Sequence, residues 1–190
     1  MSRSTVRVAV VLVIIAGSVL RFATASPLWL DEALSVHIAT GDASLTEALR
    51  QDGHPALFYL LLGWWIDVFG DGDTAVRALS GVLSLITVPV IWMATRRYGR
   101  DVAIATLLLV ATSPYLIRYA TETRMYALVV LIIALGWWAL EAAWEQPTAR
   151  RLLAVAVITA AAVHTHYRTF YAIAAAGLIV VTAGRRTNKH

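Results

Sequence analysis

The chain contains no cysteine. Disulfide frameworks, thiolate metal sites and cysteine nucleophiles are therefore excluded, while the redox compartment stays open. Charge is scarce too. Asp, Glu, Lys and Arg make up 15% of the 190 residues, against about 25% in an ordinary soluble domain. A glycine-rich phosphate loop, a zinc-type ligand spacing and a convincing Ser/His/Asp order are all missing. What fills the chain is apolar: 59% of residues are hydrophobic and the mean hydropathy is +0.68. That composition excludes a disordered chain and argues against a water-soluble one. The net charge of +4 would suggest nucleic acid in a soluble protein. Here the basic residues stand in short groups between apolar runs, which is the membrane pattern, and no nucleic acid partner is expected.

A bilayer-spanning helix takes about 20 mostly apolar residues. Val6–Ala25 qualifies, behind Arg3 and Arg7. A signal peptide is the rival reading of this run, but the run is long for one and further apolar segments follow. Those segments are Thr74–Thr95, Val102–Ile117, Met125–Trp144, Leu152–Tyr167 and Phe170–Ala183, with a break marked by His164, His166 and Arg168. His54–Gly70 is apolar but short, and it holds Asp67. If it does not cross, then Arg3, Arg7, Arg96, Arg97, Arg100, Arg150, Arg151, Arg185, Arg186 and Lys189 all fall on one side. The positive-inside rule prefers that arrangement. The expectation is an all-α, polytopic transmembrane helix bundle of about six spans, multi-pass in the cell (plasma) membrane, with both termini cytoplasmic. One transmembrane domain would cover 1–184, and 185–190 would be a cytoplasmic tail or truncation point. His54–Gly70 would be a juxtamembrane helix in a first outer loop at about 24–73. That loop holds eight of the twelve acids: Asp31, Glu32, Asp42, Glu47, Asp52, Asp67, Asp71 and Asp73. Most tryptophans fall near span ends, where interfacial anchoring accounts for them.

Four polar groups stand out against this background. In Trp29-Leu30-Asp31-Glu32 the acids would open a helix capped by Ser26, with Pro27 in its first turn. Neighbours on a helix point about 100° apart, so one of the two acids would face a cleft. The helix dipole alone also favours acids there. Asp52-Gly53-His54-Pro55 precedes the juxtamembrane helix, and His54 would serve a site or cap the loop. Arg118 and Glu122 are four apart and able to pair, with Arg124 and Tyr126 beyond them. Arginine suits bidentate phosphate contact, although snorkelling to headgroups is the plain alternative. In His164-Thr165-His166-Tyr167-Arg168, His164 and Arg168 would share a helical face toward an anionic substrate. His164 and His166 would lie on nearly opposite faces and suit a shared metal only across a helix break.

These segments together resemble the glycosyltransferase C superfamily, and within it the glycosyltransferase family 39-like proteins, relatives of protein O-mannosyltransferases and aminoarabinose transferases. The resemblance rests on WLDEALSVHIA at 29–39, DGHPALFYLLLGWW at 52–65, FGDGDTAVRALSGVLSLITVPVIWMATRRYGRDVA at 69–103, SPYLIRYATETRMYAL at 113–128 and THY at 165–167. It implies transfer of a sugar from a polyprenyl-phosphate donor, on the outer side of the lipid bilayer, to an acceptor glycan, lipid or protein. It makes Asp31 the catalytic base and places Arg124 and Tyr126 near the donor phosphate. Glu32 would orient the acceptor or a cation. Arg168 and His164 would assist at the phosphate, and His54, Glu122, Arg118 and His166 are further active-site candidates. No cofactor is certain, and a divalent cation stays open. Ala56 stands where a second proline is usual, and Arg118 where aromatics are common. Beside that family the length suggests an N-terminal half, a fragment or a shortened paralogue. The alternatives are a non-catalytic membrane protein that binds lipid-linked sugar or a partner subunit, and a small transporter. Ionisable residues gathered in outer loops, away from mid-span, speak against the transporter.

Overall fold

A backbone in lipid must satisfy every N–H and C=O within its own segment, so the apolar runs fold as helices. The computed structural model describes residues 3–41 and 45–187. Among these, all regular structure is helical: α1 (Arg3–Leu20), α2 (Leu30–Thr40), α3 (Leu45–Asp52), α4 (Leu57–Phe69), α5 (Asp73–Thr95), α6 (Arg100–Thr112), α7 (Pro114–Ala120), α8 (Tyr126–Glu145), α9 (Ala149–Thr165) and α10 (Thr169–Thr187). Asp42 and Lys189, counted above, lie outside the described residues, as do the rest of 188–190. The chain is an all-α membrane bundle. Asp73–Tyr98, which is α5 with a 3₁₀ extension, and α8 are each long and apolar enough to cross a membrane. α6 and α7 meet the same test as a pair bent by 57°.

That bend corrects the reading of Val102–Ile117 as one continuous span. Pro114 has no N–H to donate and disfavours helical geometry at the residue before it. Ser113 is accordingly extended, and its hydroxyl caps α7 by accepting from the Leu116 N–H. The carbonyls left at the end of α6 are served from another helix. Arg21, 1% exposed, donates to Val110 O at 2.8 Å and Ala111 O at 3.4 Å, and also to Ser84 Oγ at 2.8 Å. A cation at a helix C-terminus is favoured by the dipole as well. α1 can come this close to α6 because Gly17 lies against the Ala111 backbone, where a Cβ would meet the carbonyl oxygen at 2.2 Å. Small residues at such crossings are the usual membrane solution. α10 also differs from expectation: it runs on to Thr187, so the tail begins as helix.

Contacts between helix ends sort the bundle into two ends. Arg21 joins the C-terminal ends of α1 and α6, and Arg77 near the start of α5 reaches Ser26 O and Pro27 O just beyond α1. At the other end Arg97 pairs with Glu141 and Glu145 of α8, and Arg151 of α9 donates to Ala142 O. α4 does not run between these ends. Its leading His54 lies against His166 after α9, while Trp65 Nε1 donates to Ala75 O at 2.8 Å near the start of α5. Both flanks of α4 therefore sit at one end. Phe58, Tyr59 and Leu62 are buried on the helices beneath, and Leu60, Trp64 and Val68 form an exposed stripe at i, i+4 and i+8. A helix with these two apolar faces suits the plane of a membrane interface.

This geometry makes orientation testable. Single cysteines at Asp71, between α4 and α5, and at Thr148, before α9, lie at opposite ends. An impermeant thiol reagent should label Asp71→Cys in intact cells and Thr148→Cys only after permeabilisation. The reverse pattern would invert the orientation.

Candidate active site

The polar residues gather at the end of the bundle where α2 and α4 lie. α2 begins one turn later than the sequence suggested, with Trp29 as its N-cap; Ser26 and Pro27 give their carbonyls to Arg77 instead of capping. Glu32 is fully buried. Its Oε1 accepts from Arg77 Nε at 2.8 Å and from the Thr123 N–H at 2.8 Å. Its Oε2 accepts from Arg77 Nη2 at 2.6 Å and from the Trp29 N–H at 3.2 Å. One carboxylate thus ties α2 to α5, to the turn before α8 and to its own helix start. Burial pushes the Glu32 carboxyl up, but hydrogen bonds from Arg77, Thr123 and Trp29 outweigh it and hold the group below its ordinary value.

Asp31 is the contrast. It is partly exposed, and among the described residues nothing hydrogen-bonds its carboxylate. Its backbone is fixed: Asp31 O accepts from Ser35 Oγ at 2.8 Å and from Arg124 Nη1 at 3.3 Å. Arg124, 5% exposed, also donates to Ser35 Oγ at 3.0 Å, and its Nε is buried without a partner. Among the described residues it forms no ion pair, whereas Arg77 has Glu32 and Arg118 has Glu122. The Arg118–Glu122 pair forms across the end of α7, with Arg118 outermost.

A second cluster adjoins. Gly53, with φ +73, ends α3 and turns the chain so that His54 folds back on Asp52. His54 Nδ1 lies 2.9 Å from Asp52 Oδ2, and the Tyr59 hydroxyl donates to the same oxygen at 2.5 Å. Burial and then Asp52 push the Tyr59 hydroxyl pKa up, so the phenol keeps its proton. The His54 and His166 rings meet edge to face at 5.3 Å, and Tyr126 lies 6.2 Å from His166 and 4.6 Å from Tyr119. Burial, then His54, Arg168 and Arg124, lower the His166 pKa and hold the ring neutral.

The histidine segment is thus used differently from expectation. α9 stops at Thr165, so His164 and Arg168 do not share a helical face. His164 is exposed and bonded to Ala160 O of its own helix, while His166 joins the cluster. Arg168 is exposed in the α9–α10 turn. Among the described residues no three His, Asp or Glu side chains are placed to hold a metal ion. Below the turn an apolar groove of about 320 Å³ runs between α8, α9 and α10, from Ala162 and Thr169 toward Leu140 and Val180.

Residues 53–190 match the family model of the dolichyl-phosphate-mannose-protein mannosyltransferases. The chain belongs to this family. No curated protein and no solved structure matches it. Family membership brings membrane glycosyltransferase chemistry with lipid-linked sugar donors in general. The matched residues exclude Asp31 and Glu32, yet the contacts through Arg77, Thr123 and Arg124 bind α2 into the matched part. Three residues of this polar cluster escaped the sequence reading: Arg77, Asp52 as the partner of His54, and Tyr59. Arg77 had a signal, since a cation inside an apolar span calls for a partner. Tyr59 had none, because an aromatic in an apolar helix looks like any core residue.

Glu32→Gln leaves Arg77 buried without a countercharge. We expect a loss of about 3–5 kcal/mol of stability, read as a lowered unfolding temperature in detergent. Because the folded-state pKa is depressed, the Glu32 contribution is complete above about pH 4.3 and lost as pH falls through the lowered value. The difference between wild type and Glu32→Gln should therefore shrink in acid; a constant difference would remove the assignment.

Proposed function

We propose that this protein transfers a sugar from a polyprenyl-phosphate donor to an acceptor hydroxyl at the α2–α4 end of the bundle, with that end on the outer face of the cell membrane and both termini cytoplasmic. Six crossings then arise from α1, α5, the broken α6–α7 pair, α8, α9 and α10. The observation that carries the reading is the split between two adjacent acids: Glu32 spends both oxygens on the fold, while the Asp31 carboxylate has no hydrogen bond among the described residues and stands on a backbone held from two sides. A carboxylate so placed serves as general base. The acceptor oxygen attacks the anomeric carbon, its proton passes to Asp31, and the bond from that carbon to the phosphate oxygen breaks. The electron pair leaves with polyprenyl phosphate. Attack opposite the phosphate inverts the anomeric centre.

Phosphate departs readily when its charge is stabilised, so no strong general acid is required. Arg124 supplies that charge, being a cation with no carboxylate partner among the described residues. Arg168 and His164, both exposed at the α9–α10 turn, would assist there, and Arg118 is paired with Glu122. The apolar groove from Ala162 and Thr169 downward suits an isoprenoid tail continuous with a phosphate held above it. Glu32 is a positioning residue in this scheme.

Asp31→Asn should lower turnover about 10²–10⁴-fold while donor binding persists and the unfolding temperature holds. Near-normal turnover in that variant would dismiss Asp31 as the base. Arg124→Ala should weaken binding of the donor lipid about 10–150-fold, with partial rescue by lysine, which lacks the planar fork. Ser35→Ala, which loosens the same anchor without removing charge, should leave that affinity close to wild type. An equal loss in Ser35→Ala would assign Arg124 to architecture.

A further inference from the structure

His54 and His166 carry opposite hydrogen-bonding character, and the surrounding chain sets it. A histidine ring nitrogen is defined by the bond its other nitrogen makes. His54 Nδ1 faces two acceptors, Asp52 Oδ2 at 2.9 Å and Asp52 O at 3.2 Å. It must carry the proton, which leaves Nε2 of neutral His54 a lone-pair acceptor. His166 Nδ1 instead accepts from the Arg168 N–H at 3.1 Å. It cannot carry a proton, so Nε2 bears the hydrogen and donates. The ring centroids are 5.3 Å apart and nearly perpendicular, and both rings are partly open to the outside. Asp52 is itself pinned by the Tyr59 hydroxyl, so the acceptor is anchored on α4 and the donor on the α9–α10 turn.

An acceptor beside a donor does not suit a phosphate oxygen, which offers lone pairs alone. It suits a hydroxyl, which donates and accepts at once, or two neighbouring hydroxyls. We propose that His54 and His166 form a hydroxyl-binding pair that holds the carbohydrate at this site and selects it by its hydroxyl pattern, with Asp52 as the residue that positions His54. The assignment rests on the transferase reading and deepens it. The hydroxyl belongs either to the donor sugar or to the acceptor.

The tautomers are tested first, without any ligand. Nitrogen-15 spectra of the full chain in nanodiscs should show His54 protonated at Nδ1 and His166 at Nε2; matching tautomers would overturn the proposal. Binding is then measured with two lipids, polyprenyl-phosphate mannose and bare polyprenyl phosphate. Loss of one neutral hydrogen bond should cost His166→Phe about 3–10-fold in affinity for the mannosyl lipid and nothing for the bare phosphate. His166→Gln, whose amide N–H stands near the lost Nε2–H, should recover most of that affinity. An unchanged mannosyl-lipid affinity with a raised acceptor KM would place the hydroxyl on the acceptor and support the pair. Equal losses for both lipids would give the pair to the phosphate and overturn it, as would no change in either affinity or KM. Failure of the wild-type chain to bind either lipid would remove the donor reading itself, and this assignment with it.

Discussion

The bidentate contact between Glu32 and Arg77 organises the end of the bundle that carries the polar residues. A charge placed inside an apolar span is costly, and Arg77 sits in the first turns of α5. Its guanidinium is satisfied by a carboxylate from α2 and by the carbonyls of Ser26 and Pro27. Glu32 in turn receives the Thr123 N–H from the buried turn before α8. Three segments distant in sequence are therefore located by one ion pair. Geometry is what makes such a pair tolerable. Each donor and acceptor left over would carry the full cost of desolvation, and here the carboxylate collects four donors. Its neighbours inherit their position from this contact: the carboxylate of Asp31, the guanidinium of Arg124 and the turn that presents Tyr126.

A second consequence is the separation of architecture from chemistry among like residues. Glu32, Arg77 and Glu122 are committed to protein partners, whereas among the described residues the Asp31 carboxylate has no hydrogen bond and Arg124 Nε no partner. The same division runs through the histidines, where His164 bonds its own helix and His166 turns inward to His54. It also runs through the breaks in the helices. Pro114 bends α6 into α7 and brings Arg118 and Glu122 over the site, and the stop at Thr165 frees His166 from helical spacing. The irregular backbone between α6 and α7 persists because side chains such as Arg21 serve the carbonyls it releases.

The sequence by itself determined the class of the protein, the approximate helical segments and that its polar residues collect at one end of the bundle. These depend on composition and local order. Apolar runs of sufficient length must be helical in a bilayer, and the placement of arginines between them orders the segments into a bundle with His54–Gly70 across one end. The motif order around Asp31, His54 and Arg124 also pointed to the family that residues 53–190 match. Tertiary structure alone decided which of two neighbouring acids is spent on the fold, which of His164 and His166 meets His54, and that Asp52 and Tyr59 join that cluster. Asp31 and Glu32 are equivalent in charge and adjacent in sequence; only the approach of Arg77, 45 residues away, and Thr123, 91 residues away, distinguishes them. A hydrogen bond is directional and short, so its partners are set by where separate helices pack, and no local pattern in the chain records that.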